Sequence, residues 1–110
     1  MREILFRGKT ILGKWIEGDL LQYLGCGKVH IAQYYKGAGG QEVIPETVGQ
    51  YTGLTDKNGK KIFENGYMII DNKTYKVIFD NAEYILINIF DCDIITLKNN
   101  SIKGVFVDEI

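Results

Sequence analysis

The chain is short of the residues that do chemistry. It holds one histidine and two cysteines in 110 residues. A single His30 excludes any multi-histidine metal site. Cys26 and Cys92 lie far apart in no metal-ligand spacing, which excludes zinc-ribbon and zinc-finger motifs. Thiols this sparse fit a reduced, cytoplasmic setting in a bacterial host. Proline occurs once, at Pro45, so there is no proline-rich linker. An excess of charge is absent too: 13 basic against 14 acidic residues give a formal net charge of −1. That excludes a surface given over wholly to nucleic acid, though a local basic patch remains open. No apolar run approaches the roughly 20 residues that cross a bilayer, and Ile4-Leu5-Phe6 is too short for a signal peptide. No membrane partner and no cofactor are expected.

What is present points to strands. Apolar residues make up 45% and charged residues 25%, the balance of a globular chain. Isoleucine dominates the apolar set, alongside seven Tyr and five Phe. β-branched and aromatic side chains suit a pleated, half-buried surface. No segment sustains a 3.6-residue period with caps, so the chain reads as mainly β with at most one short helical turn, at Pro45-Glu46-Thr47-Val48. In the N-terminal half, Ile4 to Arg7 alternates as a strand ended by Gly8. Lys14 to Glu17 is a second strand, punctuated by Gly18-Asp19, and Val29 to Tyr35 is another. Gly37-Ala38-Gly39-Gly40 reads as a connector, since it lacks the helix and lysine of a phosphate loop.

The second half is more regular. Turn signals recur about every ten residues, at Asn58-Gly59, Asp71-Asn72, Asp80-Asn81, Asp91-Cys92-Asp93 and Asn99-Asn100, the rhythm of a sandwich or small barrel. Strands are expected at 67–70, 74–79, 84–90, 94–97 and 103–107. Two units follow, an N-terminal β unit over 1–50 and a small barrel over 51–110, expected to pack as one compact structure. Tyr84 to Phe90 is apolar on both faces except at Asn88, and such a strand needs cover on both sides. Either the rest of the chain supplies it, or a second copy does by self-association through this strand.

The densest stretch runs from Gly49 to Glu64. Thr47-Val48-Gly49-Gln50-Tyr51-Thr52-Gly53-Leu54, then Asp56-Lys57-Asn58-Gly59-Lys60, then Ile62-Phe63-Glu64 resembles the YopX family of phage and prophage proteins. Upstream, Arg2-Glu3-Ile4, Phe6-Arg7-Gly8-Lys9, Trp15 and Gly18-Asp19-Leu20 are similar to the same family, in order and at plausible spacing. The family continues Glu-Gly-Asp after the aromatic, whereas this chain has Glu64-Asn65-Gly66, which makes the position a turn rather than a site. The resemblance implies an SH3-like small barrel with additional N-terminal β structure, a phage or prophage origin and no assigned biochemical role. It carries over no catalytic residue.

Candidate sites are therefore weighed on their residues. His30 with Cys26 would form a thiol–imidazole pair only across a tight reversal, because along a strand they stand about 13 Å apart. Asp56-Lys57-Asn58-Gly59 opens like a calcium loop, but its glycine and Glu64 fall at the wrong positions, and an Asn-Gly hairpin turn explains it better. Asp80, Glu83, Asp91 and Asp93 are acidic neighbours at turns, where carboxylates are solvated. Lys57, Lys60 and Lys61 surround the hairpin near Tyr51 and Phe63, a pattern able to hold single-stranded nucleic acid; Arg2, Arg7, Lys9 and Lys14 add basic character at the N-terminus. The expectation is a non-enzymatic accessory protein, a binding or assembly module with an unknown protein partner. A nucleic-acid-binding barrel is the alternative, and a small hydrolase or thiol enzyme is a third.

Overall fold

A computed structural model of the chain describes residues 4–22, 27–33 and 40–110. It is mainly β and antiparallel throughout. The chain divides into two compact units, Met1–Tyr51 and Thr52–Ile110.

The first unit contains β1 (Phe6–Lys9), β2 (Trp15–Gln22), β3 (Val29–Ala32), β4 (Gln41–Val43) and the start of β5 (Gly49–Thr55). The hydrogen-bonded order is β4-β3-β2-β1-β5. Its core is small: Ile16, Val29, Ile31 and Val43 are buried, with Phe6, Leu20 and Val48 packed against them. Two glycines expected to end strands lie inside them. At Gly8 a Cβ would stand 2.9 Å from Val43 Cβ, and at Gly18 it would collide with the Ala32 carbonyl oxygen. Both positions admit a close neighbour rather than a turn. As a result β2 runs through Gly18 as one eight-residue strand instead of stopping at Glu17. Pro45–Thr47 forms a single 3₁₀ turn, as Pro45 implies. The Thr47 hydroxyl fastens that turn, donating to Ile44 O at 2.6 Å and accepting from the Lys9 amide at 2.9 Å.

The second unit takes over the end of β5, which pairs with β6 (Lys61–Phe63). A five-stranded sheet follows, from β7 (Tyr67–Ile70), β8 (Lys73–Asp80), β9 (Glu83–Asn88), β10 (Ile94–Thr96) and β11 (Val105–Val107), in the order β10-β9-β8-β7-β11. It is a four-strand meander whose fifth strand returns to pair with the first, and no pairing joins β10 to β11. Asp71-Asn72 and Asn81-Ala82 turn the two tight hairpins with positive φ at both residues of each, the twist-matched geometry of two-residue loops. The chain reaches β11 through a second 3₁₀ turn, Ser101–Lys103, so the strand expected from Lys103 begins only at Val105. Both turns are three-residue 3₁₀ segments, and the described residues contain no α-helix.

Alternation sorts the sheet into two faces. Met68, Ile70, Tyr75, Val77, Leu86 and Asn88 lie on one and are all buried. The other carries Ile69, Lys76, Ile85, Ile87 and Ile94, which are half-buried or exposed. β9 stops at Asn88, two residues short of expectation. Asn88 itself ends it: its side-chain oxygen accepts the amides of Phe90 at 2.8 Å and Asp91 at 3.2 Å, folding the chain into a turn.

Candidate functional site

The stretch between β5 and β6 concentrates the polar groups that looked most like a site. Asp56 has 3% of its surface exposed. One carboxylate oxygen accepts the amides of Asn58 and Lys60, each at 2.9 Å. The other accepts the Phe106 amide at 2.8 Å, fifty positions along the chain on β11. Backbone bonds complete the turn, from Gly59 N to Asp56 O at 3.0 Å and from Asp56 N to Lys60 O at 2.9 Å. Of the Asn58-Gly59 pair only Gly59 has positive φ, at 81°, so this is the longer hairpin closed by a left-handed glycine, not a two-residue loop with both residues left-handed. Lys57 N donates to Gly104 O at 3.1 Å, a second tie to the segment before β11.

This carboxylate is a structural pin. Burial pushes its pKa up, but the amides of Phe106, Lys60 and Asn58 and the Lys60 charge outweigh that, leaving it below the ordinary value of 3.8. Both oxygens accept the protein's own amides, three bonds in all, which commits the carboxylate to holding backbone. Among the described residues, no group of three or more His, Cys, Asp or Glu is placed to hold a metal. The partner of Asp56 was invisible in sequence, because nothing local marks Phe106 as the donor.

The lysines lie outside this pin. Lys57 and Lys60 are exposed and Lys61 is half-buried, on the strand face opposite the buried Ile62. Lys60 Nζ stands 5.5 Å from the centroid of the Phe106 ring, a cation–π contact beside Asp56. The Lys57–Gly104 bond brings exposed Lys103 to the same end of the unit, a basic residue the sequence pattern did not assign to the hairpin. Phe63 and Tyr51 are buried, so neither offers a ring for a base to stack on. Arg7 leaves the basic N-terminal set: it is buried, with its guanidinium 4.1 Å over the Trp15 ring.

The sequence profile of the family described as YopX protein matches residues 5–88 of the 110. The chain belongs to the YopX family. No curated relative and no solved structure matches it. The YopX match runs from just before β1 to the end of β9, so it contains Asp56 but not its Phe106 partner. Where this YopX chain departs from the family pattern, Asn65 takes φ 72° and the Gly66 amide closes a turn on Phe63 O at 3.3 Å. Asn65 N to Val77 O and Val77 N to Gly66 O, each 2.9 Å, then bind that turn to β8. The position is structural.

The other candidates separate in space or fall outside the described residues. Cys26 and most of Gly37-Ala38-Gly39-Gly40 are among the latter; only Gly40 is described, and a Cβ there would come within 2.9 Å of His30 Cβ. His30 is half-buried on β3, in register between Leu21 and Glu42. The acidic set splits between the two ends of β9. Asp80 pairs with Glu83 at one hairpin, while Asp91 and Asp93 sit in the turn beyond Asn88, roughly 20 Å away by strand rise. All four are exposed. No helix among the described residues is long and apolar enough to cross a membrane.

Proposed function

We propose that the protein is a phage- or prophage-derived accessory protein that works in the host cytoplasm as a non-enzymatic binding or assembly module, and that it associates with copies of itself through the β9 side of its second unit. The observation that supports this is the division of labour among side chains. Asp56, Asn88, Thr47 and Thr52 hold backbone groups of the protein itself. The β9 face meanwhile presents isoleucines, and Phe90 projects from the following turn with 85% of its surface exposed. Apolar groups held out by a hydrogen-bonded turn suit docking rather than bond-making. Sedimentation velocity tests the reading. A concentration-dependent shift from monomer in the micromolar range is the expected result, and monomer alone at the highest accessible concentration removes self-association.

A second reading rests on the exposed Lys57 and Lys60 with Lys103 beside them. A barrel that held nucleic acid there would bind through phosphates, with affinity falling steeply as salt rises. The expected effect of Lys57→Ala with Lys61→Ala is a weakening of about tenfold or more at low salt for single-stranded DNA or RNA, read by fluorescence anisotropy. Unchanged or undetectable binding in both proteins discards this reading.

A further inference from the structure

Buried Phe63 and Tyr51 leave the lysine hairpin without a ring for a base, and the same end of the second unit supplies one. Ile89 N donates to Thr74 O at 3.1 Å. β8 and β9 are antiparallel, so the next residues outward are Lys73 on β8 and Phe90 in the turn after β9. Lys73 pairs with Ile70 on β7. Gly104 lies against Ile70 in turn, since a Cβ there would stand 2.5 Å from Ile70 Cγ1. Lys103 precedes Gly104, and Lys57 N donates to Gly104 O at 3.1 Å. One end of the unit therefore carries Phe90, Lys73, Lys103 and Lys57 in lateral order, all exposed. Steps of about 4.8 Å from β9 through β8, β7 and β11 to the hairpin make the row roughly 19 Å long.

We infer that this end of the unit binds single-stranded nucleic acid, with a base stacked on Phe90 and phosphates on Lys73, Lys103 and Lys57. Phe90 is 85% exposed and sits in a turn fixed by Asn88, whose side-chain oxygen accepts the Phe90 amide at 2.8 Å and whose carbonyl accepts Cys92 N at 3.0 Å. A ring presented on so fixed a turn stacks on any base, because every base has a face to offer it. A duplex keeps its bases inside, so it could use the lysines but not the ring. The carboxylates set the direction. Exposed Asp91 and Asp93 flank Phe90 on the β10 side, away from Lys73, and steer a polyanion along the lysines rather than past β10. Asp71, in the β7–β8 hairpin, falls within the row, and three lysines outweigh it. A row of roughly 19 Å suits a few nucleotides, close to the lower limit of about 4 for sites on small barrels.

The inference rests on the nucleic-acid reading, and the experiment separates the two. Fluorescence anisotropy with labelled oligothymidine and oligouridine of about 12 nucleotides compares the full chain with Phe90→Leu, Phe90→Trp, Lys73→Ala and Lys103→Ala. Phe90→Leu keeps an apolar side chain without a ring, and is expected to weaken binding about fivefold or more with the salt slope unchanged. Phe90→Trp should bind at least as tightly, with its added emission quenched by the oligonucleotide. Each lysine variant should lower the salt slope by about 0.7, the share of one phosphate on a single strand. The two oligonucleotides should bind within about threefold of each other, since stacking and charge do not read the 2′-hydroxyl. A wild-type chain that binds neither at low salt overturns the nucleic-acid reading and this site with it. Binding that Lys57→Ala with Lys61→Ala weakens, but that Phe90→Leu and Lys73→Ala leave unchanged, overturns this site alone. A duplex of the same length bound as tightly as the single strand overturns the stacked base.

Discussion

Asp56→Ala is expected to cost about 3–5 kcal/mol, a large share of the stability of a chain this size. The reason is the asymmetry of buried hydrogen bonds. Removing the carboxylate leaves the amides of Asn58, Lys60 and Phe106 without their acceptor, and a buried unsatisfied donor costs more than a made bond gains. The loss also falls on two segments at once, since the same side chain shapes the hairpin and fixes the start of β11. Chemical denaturation reads the loss directly, and a fall in melting temperature of roughly 15–20 °C accompanies it. Asp56→Asn should lie between, because its oxygen can still serve Asn58 and Lys60 while its amide group faces the Phe106 donor. A cost below about 1 kcal/mol for the alanine variant would show that the pin is not structural.

The same residue gives a pH dependence with a definite sign. The folded chain holds the Asp56 carboxyl below 3.8, so it favours the ionised form more than the unfolded chain does. The stabilisation is therefore fully present above the ordinary carboxylate value and disappears as pH falls through the lower folded value. The gap between wild type and Asp56→Asn should stay constant from pH 7 to about 5, then narrow in stronger acid. A gap that widens in acid contradicts the sign.

Much of this fold is legible in the sequence because turn chemistry is local. Asp71-Asn72, Asn81 and Gly59 mark their own bends, and β8 forms where a strand is expected at 74–79. What stayed hidden depends on partners distant in the chain. Asp56 reads as a turn residue from its neighbours, but its third amide comes from Phe106. Arg7 reads as surface charge until Trp15, across β1 and β2, covers it. Asn88 looks like a flaw in an apolar strand, and its side chain is what ends the strand. The lysines of the hairpin were plain in sequence; Lys103 joined them only through the Lys57–Gly104 bond. Local pattern specifies the bends and which face a residue takes, while closure between segments decides which polar groups are available to a ligand.

Gly18 shows how large that hidden part can be. Glycine within an apolar run has two readings, an interruption of the strand or a place where another backbone comes close, and only the neighbouring strand decides. Here the neighbour is β3, with Asp19 opposite Ala32 and Leu20 opposite Ile31. Gly18→Ala would drive a methyl into the Ala32 carbonyl oxygen. No rotamer relieves a clash between a Cβ and a backbone atom, so β2 and β3 must part, drawing Ile31 and Val29 out of a core of four buried side chains. The expected cost is about 3 kcal/mol, the upper end for overpacking. Gly8→Ala meets only the Val43 side chain, which can shift, and should cost about 1 kcal/mol. Gly27→Ala meets nothing within 4 Å, and its cost is the left-handed φ of 69° alone, again about 1 kcal/mol. Denaturant midpoints for the three variants give the ranking, with faster hydrogen exchange along β2 and β3 in Gly18→Ala as the local signature. Equal costs at all three positions would mean that backbone conformation, rather than the approach of Ala32, is what reserves Gly18 for glycine.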